Sequence, residues 1–176
     1  MTVIERFEQE CLEQSEKIAF KDLVRLGKKD FLGLMYNFGY YESTVYVTNK
    51  RVAVVTPKPP FWLKLIYKSM IVLAGSVNDD PGFKAGAKQA VKLNPNEGNV
   101  LNVPLHEIEV EFVTKVLWII PESVVVLKFS DGSILPITPN AYTMEVGIGC
   151  DSLEIRGRAK ALFNAINFQK VSNLRS

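Results

Sequence analysis

Two short runs of β-branched and aromatic residues, 44–48 and 52–56, flank the polar triplet Asn49-Lys50-Arg51, and no other stretch narrows the available folds as far. The pair reads as a β-hairpin. Strand side chains alternate in facing, so Val45 and Val47 are expected on one face and Thr44, Tyr46 and Thr48 on the other. Asn tolerates the positive φ that a tight turn needs, which makes Asn49 the expected pivot, with Lys50 and Arg51 at or just past the tip.

The 176 residues suit one domain, or one domain carrying an insertion, able to bury roughly 70% of its unfolded surface. The net charge of +2 hides an asymmetry: between Lys50 and Lys92 there are eight basic residues and two acids, Asp79 and Asp80. Cys11 and Cys150 are too few and too far apart for a disulfide framework, and the first residues lack the basic and apolar regions of a signal peptide. A cytoplasmic setting is expected. No apolar run reaches the ~20 residues that span a bilayer; the longest candidate, 61–74, is broken by Lys64 and Lys68.

Along residues 2–14, Ile4, Phe7, Cys11 and Leu12 recur at helical spacing among Glu5, Glu8, Glu10 and Glu13, which predicts an amphipathic helix or frayed arm with a solvated acidic face. Residues 17–26 read as a first strand bending near Lys21-Asp22, 27–30 as a turn, and 31–41 as an irregular second strand with Gly33 and Gly39 permitting bends, although helix and strand are hard to separate there. Pro57, Pro59 and Pro60 end the hairpin's second strand. Residues 61–73 then place Lys64 and Lys68 on one helical face. A turn at 78–82 leads to a second helix, 83–93, with Lys84, Lys88 and Lys92 on one side and Phe83, Ala87, Ala90 and Val91 on the other. Residues 57–98 are thus expected to form a helical insertion between strands.

The strand pattern resumes at Asn99 and runs through Leu105 into Ile108, Val110 and Phe112, alternating with Glu107, Glu109 and Glu111. Residues 116–120 are apolar up to Pro121, and 123–129 with 134–138 form a second hairpin about Ser130-Asp131-Gly132-Ser133; Pro136 should sit at an edge or bulge. Residues 142–149 are ambiguous. Asp151 and Glu154 suggest a cap for a final helix whose stripe of Ile155, Ala159, Leu162, Phe163 and Ile166 would pack on the sheet, with a loose tail past Lys170.

Catalysis finds little footing. His106, the only histidine, lies in strand-like sequence without positioned partners. One His and two distant Cys do not make a metal set. Asp79-Asp80 before Pro81-Gly82 suits a turn and helix cap better than a carboxylate pair, and Gly82 and Gly86 lack the order of a phosphate loop. The reading is non-enzymatic, with no cofactor or metal.

About seven antiparallel strands closed by one C-terminal amphipathic helix, an α+β arrangement, is the plan of a PH-like barrel. Thr44-Val45-Tyr46-Val47-Thr48-Asn49-Lys50-Arg51-Val52-Ala53-Val54 resembles the "lyl-T-n-x-R-v-i-f" hairpin of GRAM and bacterial PH-like domains. Glu16-Lys17-Ile18 looks like their glutamate-led first strand, Val103-Pro104-Leu105 with Ile108 like their "v-P-l-x-x-I" step, and 127–133 like their "f-x-d-G" hairpin. The nearest pattern is the GRAM module of WW-domain-binding proteins. Matches scatter from Glu16 to about Ala165 and leave the insertion unmatched; Pro59-Pro60 is followed by Phe61-Trp62, so no Pro-Pro-x-Tyr ligand is present.

The resemblance implies a binding module for phosphoinositide-type lipid, anionic membrane or a protein segment. Lys50, Arg51, Lys58, Lys64, Lys68, Lys84, Lys88 and Lys92 are the candidate anion-binding residues, each worth about 1 kcal/mol near an anionic surface. Phe61, Trp62 and Tyr67 are candidates for membrane or partner contact, as in an interfacial helix. The plainer reading has 61–73 packed on the barrel with its lysines solvated. The same apolar segment would alternatively serve a homo-oligomer or scaffold interface. Nucleic acid is the weaker alternative for the basic segment, because its aromatics sit on an apolar run and not on an exposed sheet face. A cytoplasmic, peripherally membrane-associated protein is the expectation.

Overall fold

The computed structural model describes residues 1–29, 36–57, 90–91, 98–117, 120–140 and 152–174. Strand β2 (Tyr36–Thr48) turns through Asn49 and Lys50 into β3 (Arg51–Pro57), with Val47 opposite Val52 and Thr44 opposite Val55. On the far side of β2 lies β1 (Ile18–Lys29), and on the far side of β3 lies β5 (Gly98–Pro104), whose other edge pairs with the two-residue β4 (Ala90–Val91). A second meander, β6 (Ile108–Leu117), β7 (Ile120–Phe129) and β8 (Ile134–Pro139), joins the first where β8 pairs with β1. The described strands form one antiparallel sheet in the order β4-β5-β3-β2-β1-β8-β7-β6. Helix α1 (Val3–Glu13) precedes the sheet and α2 (Ser152–Leu174) follows it, which makes the fold α+β.

Chain length dictates how this sheet is shaped. In the strand order β5 and β6 are six intervals apart, which in a flat sheet is about 29 Å at the usual strand spacing. Yet they are joined by a single 3-10 turn, Leu105–Glu107, and the backbone from Pro104 to Ile108 reaches at most ~14 Å. The sheet therefore curls until its β5 and β6 ends meet at that turn, a barrel-like form without a strand pairing that closes it among the described residues.

Alternation then splits each strand between two cores. The concave face gathers Val24, Val45, Val47, Val52, Val54, Leu101, Val103, Val125, Leu127, Leu135 and Ile137 around Ala159, Leu162 and Ile166 of α2, all buried. The convex face of β2, β3 and β5 presents Tyr46, Ala53, Val55 and Val100 to Val3, Phe7 and Cys11 of α1. Two-sided burial explains why β3 reads as an unbroken apolar run. The expected facing of Val45 and Val47 against Tyr46 and Thr48 holds. So does the α2 stripe, with Ile155 and Phe163 half-buried at its margins and Phe163 meeting Phe112 at 6.0 Å.

Several local expectations yield to tertiary pairing. Gly27 and Lys28, expected in a turn, extend β1 opposite Phe38 and Asn37, and the irregularities of β1 fall between Ile18 and Phe20 and between Arg25 and Gly27 instead of at Lys21-Asp22. Ala90 and Val91, expected in a helix, pair with Leu101 and Val100; an open strand edge offers unpaired backbone groups that outweigh local propensity. The rest of the expected insertion, 58–89 and 92–97, lies outside the described residues, as do 30–35 and 141–151. The single strand expected over 99–112 breaks at Leu105–Glu107. Pro136 is not on an edge strand, since β8 lies between β1 and β7; however, β1 reaches only Ile137, Thr138 and Pro139, so the missing N–H falls beyond that ladder. Helix α2 continues to Leu174 instead of fraying at Lys170.

In α1 the buried stripe is Val3, Phe7 and Cys11, while Leu12, expected inward, is 79% exposed. A capping box starts the helix: the Thr2 hydroxyl accepts from the Glu5 N–H at 3.2 Å and the Glu5 carboxylate from the Thr2 N–H at 2.7 Å. At the other end the Glu16 N–H donates to Cys11 O and the Ser15 N–H to Leu12 O, a Schellman turn with Ser15 at φ 52° where glycine is usual. That turn aims Glu16 beneath the hairpin.

Candidate functional site

Glu16 is 5% exposed, and a buried carboxylate must be matched. Arg51 matches it with a two-pronged contact, Nε to Oε1 at 3.1 Å and Nη2 to Oε2 at 2.9 Å, while Nη2 also donates to Glu10 Oε1 at 2.7 Å. The Thr48 hydroxyl donates to Glu16 Oε1 at 2.6 Å and accepts from the N–H groups of Lys50 and Arg51, at 3.1 and 3.0 Å. The guanidinium lies 5.1 Å from the centre of the Phe7 ring. Burial alone would draw the Arg51 pKa down; its hydrogen bonds to Glu10 and Glu16 outweigh that and hold it above the ordinary value. Arg51, expected as an open anion-binding group at the tip, is thus turned inward and already paired with two carboxylates.

Asn49 also differs from expectation. Among the described non-glycine residues only Ser15 has positive φ, so the hairpin turns without it at Asn49. Asn49 serves as a clasp through both its side chain and its backbone. Its Oδ1 accepts from the Lys17 N–H at 2.8 Å, its own N–H donates to Lys17 O at 3.0 Å, and its carbonyl accepts from Asn173 Nδ2 at 2.7 Å. Lys50 O takes the Leu105 N–H at 3.2 Å, and Lys170 Nζ reaches Ile108 O at 2.5 Å. The hairpin tip, the start of β1, the β5–β6 corner and the last turns of α2 therefore meet at one end of the curled sheet.

That end carries an unusual surface. Lys17 and Lys50 are exposed, as is His106 in the corner turn. Phe168, Val171 and Leu174, three apart on α2, are 68%, 46% and 86% exposed, and Ile18 beside Lys17 is 40% exposed. The spacing of the stripe was in the sequence, but the arrival of its end of α2 at the hairpin tip depends on the Asn173 contact, which joins residues far apart in the chain.

A second polar cluster lies on the convex face under α1. The Tyr46 ring is fully buried against Phe7, with centroids 4.8 Å apart, and its hydroxyl donates to Glu8 Oε1 at 2.7 Å. Lys21 Nζ donates to the same oxygen at 2.6 Å and stands 5.5 Å from the Tyr46 ring centre. Donation from Lys21, then from Tyr46, holds the Glu8 carboxyl below its usual range; burial, then the bond to Glu8, pushes the Tyr46 phenol up; and burial raises the Cys11 thiol. Glu8 and Glu10 are accordingly engaged and not part of a freely solvated acidic face.

At the opposite end, Arg158 of α2 grips Asp22 through Nε at 3.0 Å and Nη2 at 2.6 Å, and donates to Asn140 O at 2.9 Å. The bond to Asp22 raises the Arg158 pKa. Asn140 Nδ2 in turn donates to Glu42. These contacts fix the helix over the sheet.

Of the residues expected to bind anions, Lys50 and Arg51 are placed as above; Lys58, Lys64, Lys68, Lys84, Lys88 and Lys92 lie outside the described residues, as do Phe61, Trp62 and Tyr67. Among the described residues no group of His, Cys, Asp and Glu could hold a metal ion, and no helix is long and apolar enough to cross a membrane. Set against known proteins, the chain matches no family model, no curated sequence and no solved structure.

Proposed function

We propose that this chain is a non-enzymatic binding module of PH-like type, in the GRAM neighbourhood, that docks on anionic membrane through the hairpin-tip end of its barrel. The fold part is supported by the strand order: a meander of β1, β2, β3 and β5, a corner, a meander of β6 to β8 returning to β1, and a helix over the interior. The docking part rests on one observation. The Asn173–Asn49 contact brings the last turns of α2, which carry the exposed Phe168, Val171 and Leu174, to the end of the sheet where Lys17 and Lys50 are exposed. Exposed apolar side chains that can enter the acyl boundary, at the same end as lysines that can meet headgroups, are the composition of an interfacial surface. Lysine stems remain in the apolar layer while their charges stay at headgroup level. Lysines and aromatics of the 58–92 stretch supply more of the same chemistry.

Sedimentation with phosphatidylcholine vesicles, with or without phosphatidylserine, tests the reading. The protein should pellet with the anionic vesicles only and lose this with Phe168→Ser plus Leu174→Ser, or with Lys17→Glu plus Lys50→Glu, while each variant keeps the circular dichroism spectrum of the folded protein. Failure to pellet, or pelleting untouched by both double variants, would count against it. Light scattering on the same variants covers the alternative: a dimer abolished by Phe168→Ser plus Leu174→Ser would assign the stripe to a second copy.

A further inference from the structure

We infer that α1 is a displaceable acidic cover over a second, latent anion-binding face, made of Lys21, Lys50 and Arg51 around Tyr46, and that anionic phospholipid takes its place there. The inference rests on the membrane reading above and adds to it a site and a control on that site.

The charges are what point this way. Each of the three cations is held by α1 or by the turn that ends it. Lys21 Nζ meets Glu8 at 2.6 Å, Lys50 Nζ meets the carbonyl of Gln14 at 3.0 Å, and Arg51 Nη2 meets Glu10 at 2.7 Å. Glu16, in the turn, completes the Arg51 pair and stays with the sheet if the helix leaves. Carboxylates at hydrogen-bonding distance from lysine and arginine are what a phosphate or phosphatidylserine headgroup would supply, so α1 acts as an internal stand-in for an anionic ligand. Beneath the helix the sheet presents Tyr46, Ala53, Val55 and Val100, an apolar strip bordered by those cations. It shares with the hairpin-tip end the pairing of apolar surface and positive charge.

The attachment of α1 is of a kind that can open. The helix has eleven residues and buries three side chains, Val3, Phe7 and Cys11, and helices of that length are marginal without their packing. It joins β1 through a turn holding Ser15 at φ 52°, a conformation in which a residue with a Cβ is strained. Lys21 and Glu8 keep 50% and 36% of their side chains exposed, so a headgroup can reach their contact before the helix moves. Lys50, next to the proposed docking surface, puts the two faces within reach of one membrane.

Cys11 gives the intact chain a reporter, because its side chain is buried between α1 and the sheet. In a Cys150→Ser background it is the only thiol, and its reaction with an aromatic disulfide reagent reads the opening of α1. Phosphatidylcholine vesicles containing phosphatidylserine should speed that reaction about tenfold, the change that ~1.4 kcal/mol in the open–closed balance produces. Phosphatidylcholine alone should not. Glu8→Gln with Glu10→Gln should raise the rate without vesicles. Pelleting with anionic vesicles at an unchanged Cys11 rate overturns the cover and leaves the hairpin-tip reading standing; absence of pelleting overturns both. Acceleration by neutral vesicles, no effect of the Glu8 and Glu10 variants, or acceleration that comes only with loss of the sheet's circular dichroism signal also overturns it.

Discussion

Replacing Arg51 tests whether its charge is structural. Glu16 has 1% of its side chain exposed and Arg51 15%, and the two share two hydrogen bonds. Removing one member of such a pair leaves a buried charge without its counterpart, which costs about 3–5 kcal/mol, whereas removing both with apolar replacements of similar volume can be near neutral. Arg51→Met should therefore cost about 3–5 kcal/mol, out of a total stability of about 5–15 kcal/mol for a domain. With a urea slope near 2 kcal/mol/M, the midpoint should drop by roughly 2 M. Glu16→Met should cost a comparable amount. The double variant should cost well below the sum, with a coupling of about 2–3 kcal/mol. Urea denaturation of the four proteins measures this. A single-variant cost under ~1 kcal/mol, or strictly additive costs, would refute the reasoning.

Two further outcomes follow from α1 and its turn. Ser15→Gly should stabilise the protein by about 1 kcal/mol, because the left-handed conformation at φ 52° penalises a Cβ; thermal unfolding reads it, and a loss of stability would show that the Ser15 side chain matters more than its backbone. In acid the wild type and Glu8→Gln should converge. Glu8 is held below its ordinary value of 4.5, chiefly by Lys21, so its contribution is present above the unfolded carboxylate pKa and is lost as pH falls through the lower folded one. Urea midpoints that stay equally far apart at neutral and acid pH would contradict the Lys21–Glu8–Tyr46 contact.

Much of the frame was legible in the residues. The hairpin, the facing of its valines, the Gly132 turn at φ 80° and the stripe of α2 all follow from periods of two and 3.6 and from turn chemistry. What escaped was long-range. Leu105 was read as one step in a continuous strand because its alternation passes smoothly into Ile108; only the curl of the sheet, which brings the β5 and β6 ends together, turns it into a corner. Ala90 and Val91 looked helical in their own neighbourhood and were claimed by the β5 edge. The glutamates of α1 looked solvated, because nothing in 2–14 announces Lys21, Tyr46 or Arg51.

The sequence by itself determined most of the described strands and both helices, and the apolar face of most of them, since these are set by local geometry repeated every two or few residues. Only the tertiary structure decided what the charges do. Arg51 meets Glu16 across 35 residues of chain and Tyr46 meets Glu8 across 38, separations over which no pattern in the sequence records proximity. An arginine that reads as a ligand contact at a hairpin tip became the counter-ion of a buried carboxylate, and the end of α2 that carries an exposed stripe came to rest at that tip. Folding brings such groups together because a buried charge must be matched wherever a partner lies, and that requirement is met in space and not along the chain.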